Sequence, residues 1–208
     1  MNEADIATGT ARADFCRFLA ACYYEPGPEF REEGLFESMA AAGARIDPGL
    51  EAGARRLGEA FAAEDPEDLL VDYTRLFLGP VDAQAKPYGS VWLGGETTLM
   101  QDSTMAVLAL YEEGGFEIAE DFRELPDHVA AELEFLYLLL FRSIRPADAK
   151  EREALAALRS RFLGEHLGRW AGPFTEAVAQ GAQCAFYREL AALTDRFVKR
   201  EAAQPAGH

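Results

Sequence analysis

The residues best equipped for chemistry in this chain stand together: Asp127-His128, followed by Glu132 and Glu134, at the start of a strongly apolar segment. On a helix, His128 and Glu132 share one face, a spacing that suits two metal ligands or an acid–base pair. A metal site needs a third ligand, and the other two histidines, His166 and His208, show no spacing that identifies one. Each residue also has a plain structural reading. Asp127 fits a first-turn carboxylate stabilised by the positive end of the helix dipole, and His128 fits a helix-start histidine held by a local hydrogen bond. The three cysteines, Cys16, Cys22 and Cys184, contain no C-x-x-C pair. They read as buried small apolar residues, not as a disulfide framework or a zinc site.

Other catalytic signatures fail on spacing. A phosphate loop needs Gly-Lys-Ser/Thr, yet none of Lys86, Lys150 and Lys199 follows a glycine. A dinucleotide fingerprint needs G-x-G so that backbone can approach a pyrophosphate, and no such pair occurs. No serine has G-x-S-x-G flanks. No cofactor is expected, and no phosphate-binding motif for a nucleotide is present.

The net charge of −16 would repel a phosphate backbone, and no basic stripe reverses it locally, so nucleic acid is not an expected partner. A basic peptide would be attracted. The 49% hydrophobic content is spread along all 208 residues, enough for one full core. Met1 to Thr10 lacks a basic start and an apolar segment, which predicts a cytoplasmic protein. The longest apolar run, Phe135 to Phe141, is far short of the roughly 18 residues that a membrane span requires, so no insertion is expected.

The elements that must position these residues are helical. Phe15, Leu19 and Tyr23 form one face before Pro26-Gly27-Pro28. Phe30, Phe36 and Met39 mark a short amphipathic stretch. Asp47-Pro48 and Asp65-Pro66 each pair a capping residue with a first-turn proline, ahead of Leu50 to Phe61 and Leu69 to Phe77. Pro80 to Gly95 has no sustained period and reads as a loop. A helix is expected from about Glu96 to Glu113, stopped by Gly114-Gly115, then a loop from Phe116 to Leu125. Pro126 opens the most apolar helix, one that belongs at the centre of a bundle. Leu155 to Phe162, then Trp170, and finally Phe186 to Phe197 complete the pattern, with Glu201 to His208 as a frayed tail. The expected fold class is all-α: a single many-helix bundle over 1–208, with candidate hinges in the loops 80–95 and 115–126.

Several blocks of this sequence resemble the TorD/DmsD family of redox-enzyme maturation chaperones. Tyr73-Thr74-Arg75-Leu76-Phe77-Leu78-Gly79-Pro80 is similar to its aromatic-x-x-Leu-Phe-x-Gly-Pro block, and Pro87-Tyr88-Gly89-Ser90-Val91-Trp92-Leu93 to its Pro-aromatic-Gly-Ser-Val-aromatic-Leu block. Leu125 to Leu136 resembles the Pro-Asp-His hallmark with its trailing Glu-Leu-x-Phe. A looser block runs from Phe162 through His166 and Trp170 to Tyr187. The blocks keep the family order, which single short motifs do not do by chance.

The resemblance implies a cytoplasmic, non-enzymatic chaperone with the TorD-like all-helical fold. Its partners would be the twin-arginine leader and the apo-form of a molybdenum-dependent oxidoreductase subunit, held until the cofactor is inserted. It places signal-peptide binding on Tyr73, Leu76, Phe77, Tyr88, Ser90, Trp92, Asp127 and His128. The loop 80–95 would form one wall of a groove and the hallmark helix start the other. Asp127 would pair with a leader arginine or position the loop, and His128 would add a pH-sensitive hydrogen bond. Tyr73 and Tyr88 stand where some relatives carry tryptophan, which keeps an aromatic face but alters the leader preference. Two other readings stand open: a helical enzyme using His128 with Glu132 or Glu134, and a purely structural adaptor. The client enzyme and the choice of monomer or homodimer are not encoded in these motifs.

Overall fold

The structure, a computed structural model, describes residues 3–79, 83–94, 102–119 and 122–204. Among them stand eleven α-helices: α1 (Glu3–Ala21), α2 (Glu29–Glu32), α3 (Leu35–Ala44), α4 (Pro48–Ala63), α5 (Pro66–Tyr73), α6 (Gly89–Leu93), α7 (Asp102–Gly114), α8 (Val129–Ile144), α9 (Ala149–Glu165), α10 (Leu167–Gly181) and α11 (Ala185–Ala202). The only β feature among the described residues is an isolated antiparallel bridge between Tyr88 and His128. The all-α expectation holds.

Local chemistry sets the helix starts. Asp47 accepts from the backbone N–H groups of Gly49 and Leu50, and Asp65 from that of Glu67, each with proline at the first helical position. Asp148 caps α9 in the same way through Glu151 N–H. Each such cap contributes about 1 kcal/mol. After α7 the chain turns at Gly115, whose φ of 64° is left-handed, and Phe116 N–H closes the end on the Tyr111 carbonyl at 2.9 Å.

Packing then joins distant segments. α1 runs along α8 and carries α3 on another side; α3 pairs with α4, α4 lies on α11, and α10 bridges α11 and α9. One continuous core results. Its centre is aromatic: Phe77 stacks edge-on against Tyr23, Tyr73 and Tyr187, and Phe174 joins Tyr23, Phe77, Trp92 and Trp170. All three cysteines are free and buried, as their composition predicts.

The structure corrects three boundaries and leaves one outside the described residues. The segment Pro80 to Gly95 contains a helix, α6, held by a tertiary contact that periodicity does not register. α8 begins at Val129, not Pro126, because His128 is its cap and residues 126–127 form a turn. The described part of α7 begins at Asp102, and the expected start near Glu96 lies outside the described residues. Glu201 is no frayed tail: it is buried in α11 and takes a bidentate ion pair from Arg12 of α1. Residues 205–208 of the expected tail lie outside the described residues.

α5 passes directly into a π-helical turn, Thr74–Leu78. The wider turn points both Leu76 and Phe77 inward, and such turns recur at functional sites. Asp72, just before it, is buried and accepts from the N–H groups of Gln183 and Cys184, each at 2.8 Å, so that α5 holds the start of α11.

Candidate functional site

The segments around Tyr88 and His128, 40 residues apart in sequence, are stitched together. Gly89 N–H donates to the Asp127 carbonyl and Val129 N–H to the Pro87 carbonyl, each at 2.8 Å. Below this bridge the Asp127 carboxylate is fully buried. Its Oδ2 accepts from Ser90 N–H at 2.7 Å and from the Thr104 hydroxyl at 3.3 Å. Asp127 therefore does sit at the positive end of a helix, but the helix is α6, not the α8 that its sequence position suggests. Asp127 positions the 87–93 segment on α8 and ties both to α7.

His128 is the cap of α8. Its Nδ1 accepts from Ala130 N–H at 3.2 Å, which places the ring proton on Nε2. Burial lowers its pKa from 6.5 to about 4, against the opposing charges of Glu124 and Asp127. The unfolded chain thus binds a proton between pH 6.5 and 4 that the folded one refuses. Stability from this group is complete above 6.5 and is lost as pH falls through about 4, a difference of about 3 kcal/mol. Thermal melts across that window are expected to fall more steeply for the wild type than for His128→Asn, which keeps a cap but does not titrate; parallel curves would remove His128 from the pH response.

The predicted partnership of His128 with Glu132 is not formed. Glu132 is fully buried, and its Oε2 lies 3.0 Å from His166 Nδ1 and accepts from Trp170 Nε1 at 3.0 Å. His166 Nε2 donates to the Ser103 carbonyl at 3.0 Å, since a carbonyl only accepts. Burial raises the Glu132 pKa against the hydrogen bonds that lower it; burial pulls His166 down, but Glu132 and the Ser103 carbonyl carry it above its ordinary value. The pair therefore shares one proton and spans α8 to α10. α6 is pressed against it: a side-chain carbon at Gly89 would stand 3.0 Å from both Glu132 Oε1 and Trp170 Nε1. No group of three or more His, Cys, Asp or Glu among the described residues is placed to hold a metal ion.

Above the bridge the surface is acidic and aromatic. The Tyr88 hydroxyl donates to Glu124, and the Tyr24 hydroxyl donates to Glu134 at 2.7 Å. Burial, then the neighbouring carboxylate, raises both phenols. Tyr73 is buried beneath them: its hydroxyl donates to the Tyr23 carbonyl at 3.4 Å, and burial, then the charges of Glu124 and Glu25, push it up to about 12. Tyr88 stacks edge-on against His128 at 5.4 Å, and Phe122 meets the same ring at 6.3 Å.

The eight residues implied by the resemblance thus divide. Tyr88 and Trp92 are partly exposed, Trp92 donating to the Lys86 carbonyl at 2.9 Å. Tyr73, Leu76, Phe77, Ser90, Asp127 and His128 are all buried. The two segments expected as opposite walls of a groove are bonded into one wall. Nothing in the sequence singles out Tyr24, Glu124 or Phe122, and Glu134, a candidate acid–base partner of His128 by spacing, accepts instead from Tyr24. No spacing relates Tyr24 to Glu134; only the packing of α1 on α8 does.

Among the described residues, the helical bundle presents a tyrosine–carboxylate surface over a buried polar junction. Residues 44–176, more than half the chain, match the family model described as nitrate reductase delta subunit, and the chain belongs to that family, which holds the TorD and DmsD chaperones. It is 29% identical over 136 residues to the chaperone protein TorD of Photobacterium profundum, covering 65% of this chain and 63% of that one. It is 30% identical over 133 residues to the Tat proofreading chaperone DmsD of Salmonella typhi, covering 64% and 60%. The chain thus matches less than two thirds of the length of these curated relatives. A crystal structure of a candidate redox enzyme maturation protein from Archaeoglobus fulgidus shares the fold, with a TM-score of 0.59 at 20% identity over 90% of this chain and 93% of that one.

Proposed function

We propose that this protein is a cytoplasmic maturation chaperone that binds the twin-arginine leader of a molybdenum-dependent oxidoreductase and holds the apo-subunit until its cofactor is in place. The observation that carries this reading is the surface of Tyr24, Tyr88, Glu124 and Glu134, built where two family blocks are hydrogen-bonded together. Arginine guanidinium groups seek carboxylates in bidentate pairs and stack on aromatic faces, and this surface offers both. The names of the relatives, a Tat proofreading chaperone among them, support the same direction. No helix of the described residues is long and apolar enough to cross a membrane.

In this reading the eight residues take different parts. Tyr88 and Trp92 touch the leader, with Tyr73 behind them. Ser90, Asp127 and His128 fix the wall on which Tyr88 stands, and Leu76 and Phe77 support it from the core. Asp127 positions the loop and does not pair with a leader arginine. The continuous core supports one domain over 1–208, with 80–95 and 115–126 as candidate hinges.

Calorimetric titration with synthetic twin-arginine leaders tests the proposal. One leader is expected to bind at micromolar affinity or tighter, and Tyr88→Ala to weaken it about tenfold through loss of the aromatic contact. Failure of every leader from the host's molybdenum enzymes to bind the folded protein overturns the reading.

A further inference from the structure

α8 was expected to be apolar on nearly every side and central, yet one stripe of it is uncovered. Phe141 is 55% exposed, and Tyr137 and Leu138 are partly exposed beside it. Their spacing from Glu134 places all four on one helix face. The Tyr137 and Phe141 rings lie 5.8 Å apart, tilted by 36°, as a ready aromatic surface. The stripe begins at Glu134, the carboxylate bonded to Tyr24, and so is continuous with the acidic and aromatic surface described above.

We infer that the Glu134–Phe141 face of α8 is the track for the apolar segment that follows the arginine pair of the leader. This rests on the leader-binding reading and adds to it where the apolar part lies. Two features commit the face to that occupant. Along the stripe the negative charge lies at its first residue: Glu134, with Glu124 near the same tyrosines, precedes Tyr137, Leu138 and Phe141, which carry no charge. A leader has the matching polarity, with basic residues first and apolar residues after, so one orientation pairs charge with charge and apolar with apolar. The length also fits. From Glu134 to Phe141 the helix rises about 10 Å, which seats about two turns of a bound helix or a few residues of an extended strand.

The track and the carboxylates are separable by experiment. Two probes are used: a synthetic peptide with an arginine pair followed by a Leu/Ala tract, and the same arginine pair followed by a Ser/Gly tract. Phe141→Glu and Tyr137→Ser are each titrated with both, their folding checked by circular dichroism and their mass by sedimentation. Because Phe141 is more than half exposed, its replacement leaves the core intact. The inference expects either variant to lose about tenfold or more in affinity for the Leu/Ala peptide, with the weaker Ser/Gly binding unchanged. If wild type binds the Leu/Ala peptide and both variants bind it equally well, the apolar segment lies elsewhere, and the track falls while the leader reading stands. If the variants convert a dimer to a monomer without altering peptide affinity, the face joins two copies of this chain and the track is again wrong. If wild type binds neither peptide, the leader reading itself fails and takes the track with it.

Discussion

Glu132→Ala is expected to destabilise the protein by about 3–5 kcal/mol, the largest single loss in the site. Removing one member of a buried pair leaves its partner uncompensated. Here the loss strands two donors at once, His166 Nδ1 and Trp170 Nε1, both inside the core. His166→Ala should cost a similar amount, and the double variant less than the sum, because the two deletions remove one shared interaction. Urea unfolding measures all three. The result separates two functions. If Glu132 served catalysis or a metal, its loss would abolish activity or metal content while leaving the unfolding midpoint near that of wild type; if it ties α8 to α10 beneath α6, the midpoint falls. A midpoint within about 0.5 kcal/mol of wild type, the range of ordinary surface changes, would return the helical-enzyme reading to contention.

The fold was legible wherever the signal was local. Asp47-Pro48 and Asp65-Pro66 announce helices because cap and proline act within one turn, and Gly115 stops α7 for an equally local reason. The losses occur where one segment borrows from another. α6 has five residues and too few internal bonds to show a period; it is fixed by Asp127, 37 residues away, through Ser90 N–H. Glu201 looks like a tail residue until Arg12 is seen against it. In the site, the types were readable and the pairings were not. His128 and Glu132 have the correct spacing to meet, but a cap residue lies outside the helix and turns its ring back to its own backbone, while Glu132 faces α10. Family order picks out the two blocks, and only the structure shows that they are hydrogen-bonded to each other.

Charge reversal at the acidic surface is the functional counterpart. Glu124→Lys with Glu134→Lys is expected to weaken a twin-arginine leader by about a hundredfold, since two charge pairs worth about 1.4 kcal/mol each would be lost or inverted. Both carboxylates and the tyrosines that donate to them are half-buried at the rim of the core, and circular dichroism checks that the variant folds. Wild-type affinity should fall as salt rises, and the variant should lose most of that dependence. The decisive arm is compensation: a leader whose arginine pair is replaced by glutamates should bind the variant better than wild type. Simple damage to the surface cannot restore binding to an inverted ligand, whereas a direct guanidinium–carboxylate contact must. If the reversed leader gains nothing and the arginine leader binds the variant as before, Glu124 and Glu134 only orient Tyr88 and Tyr24, and recognition rests on the aromatic faces alone.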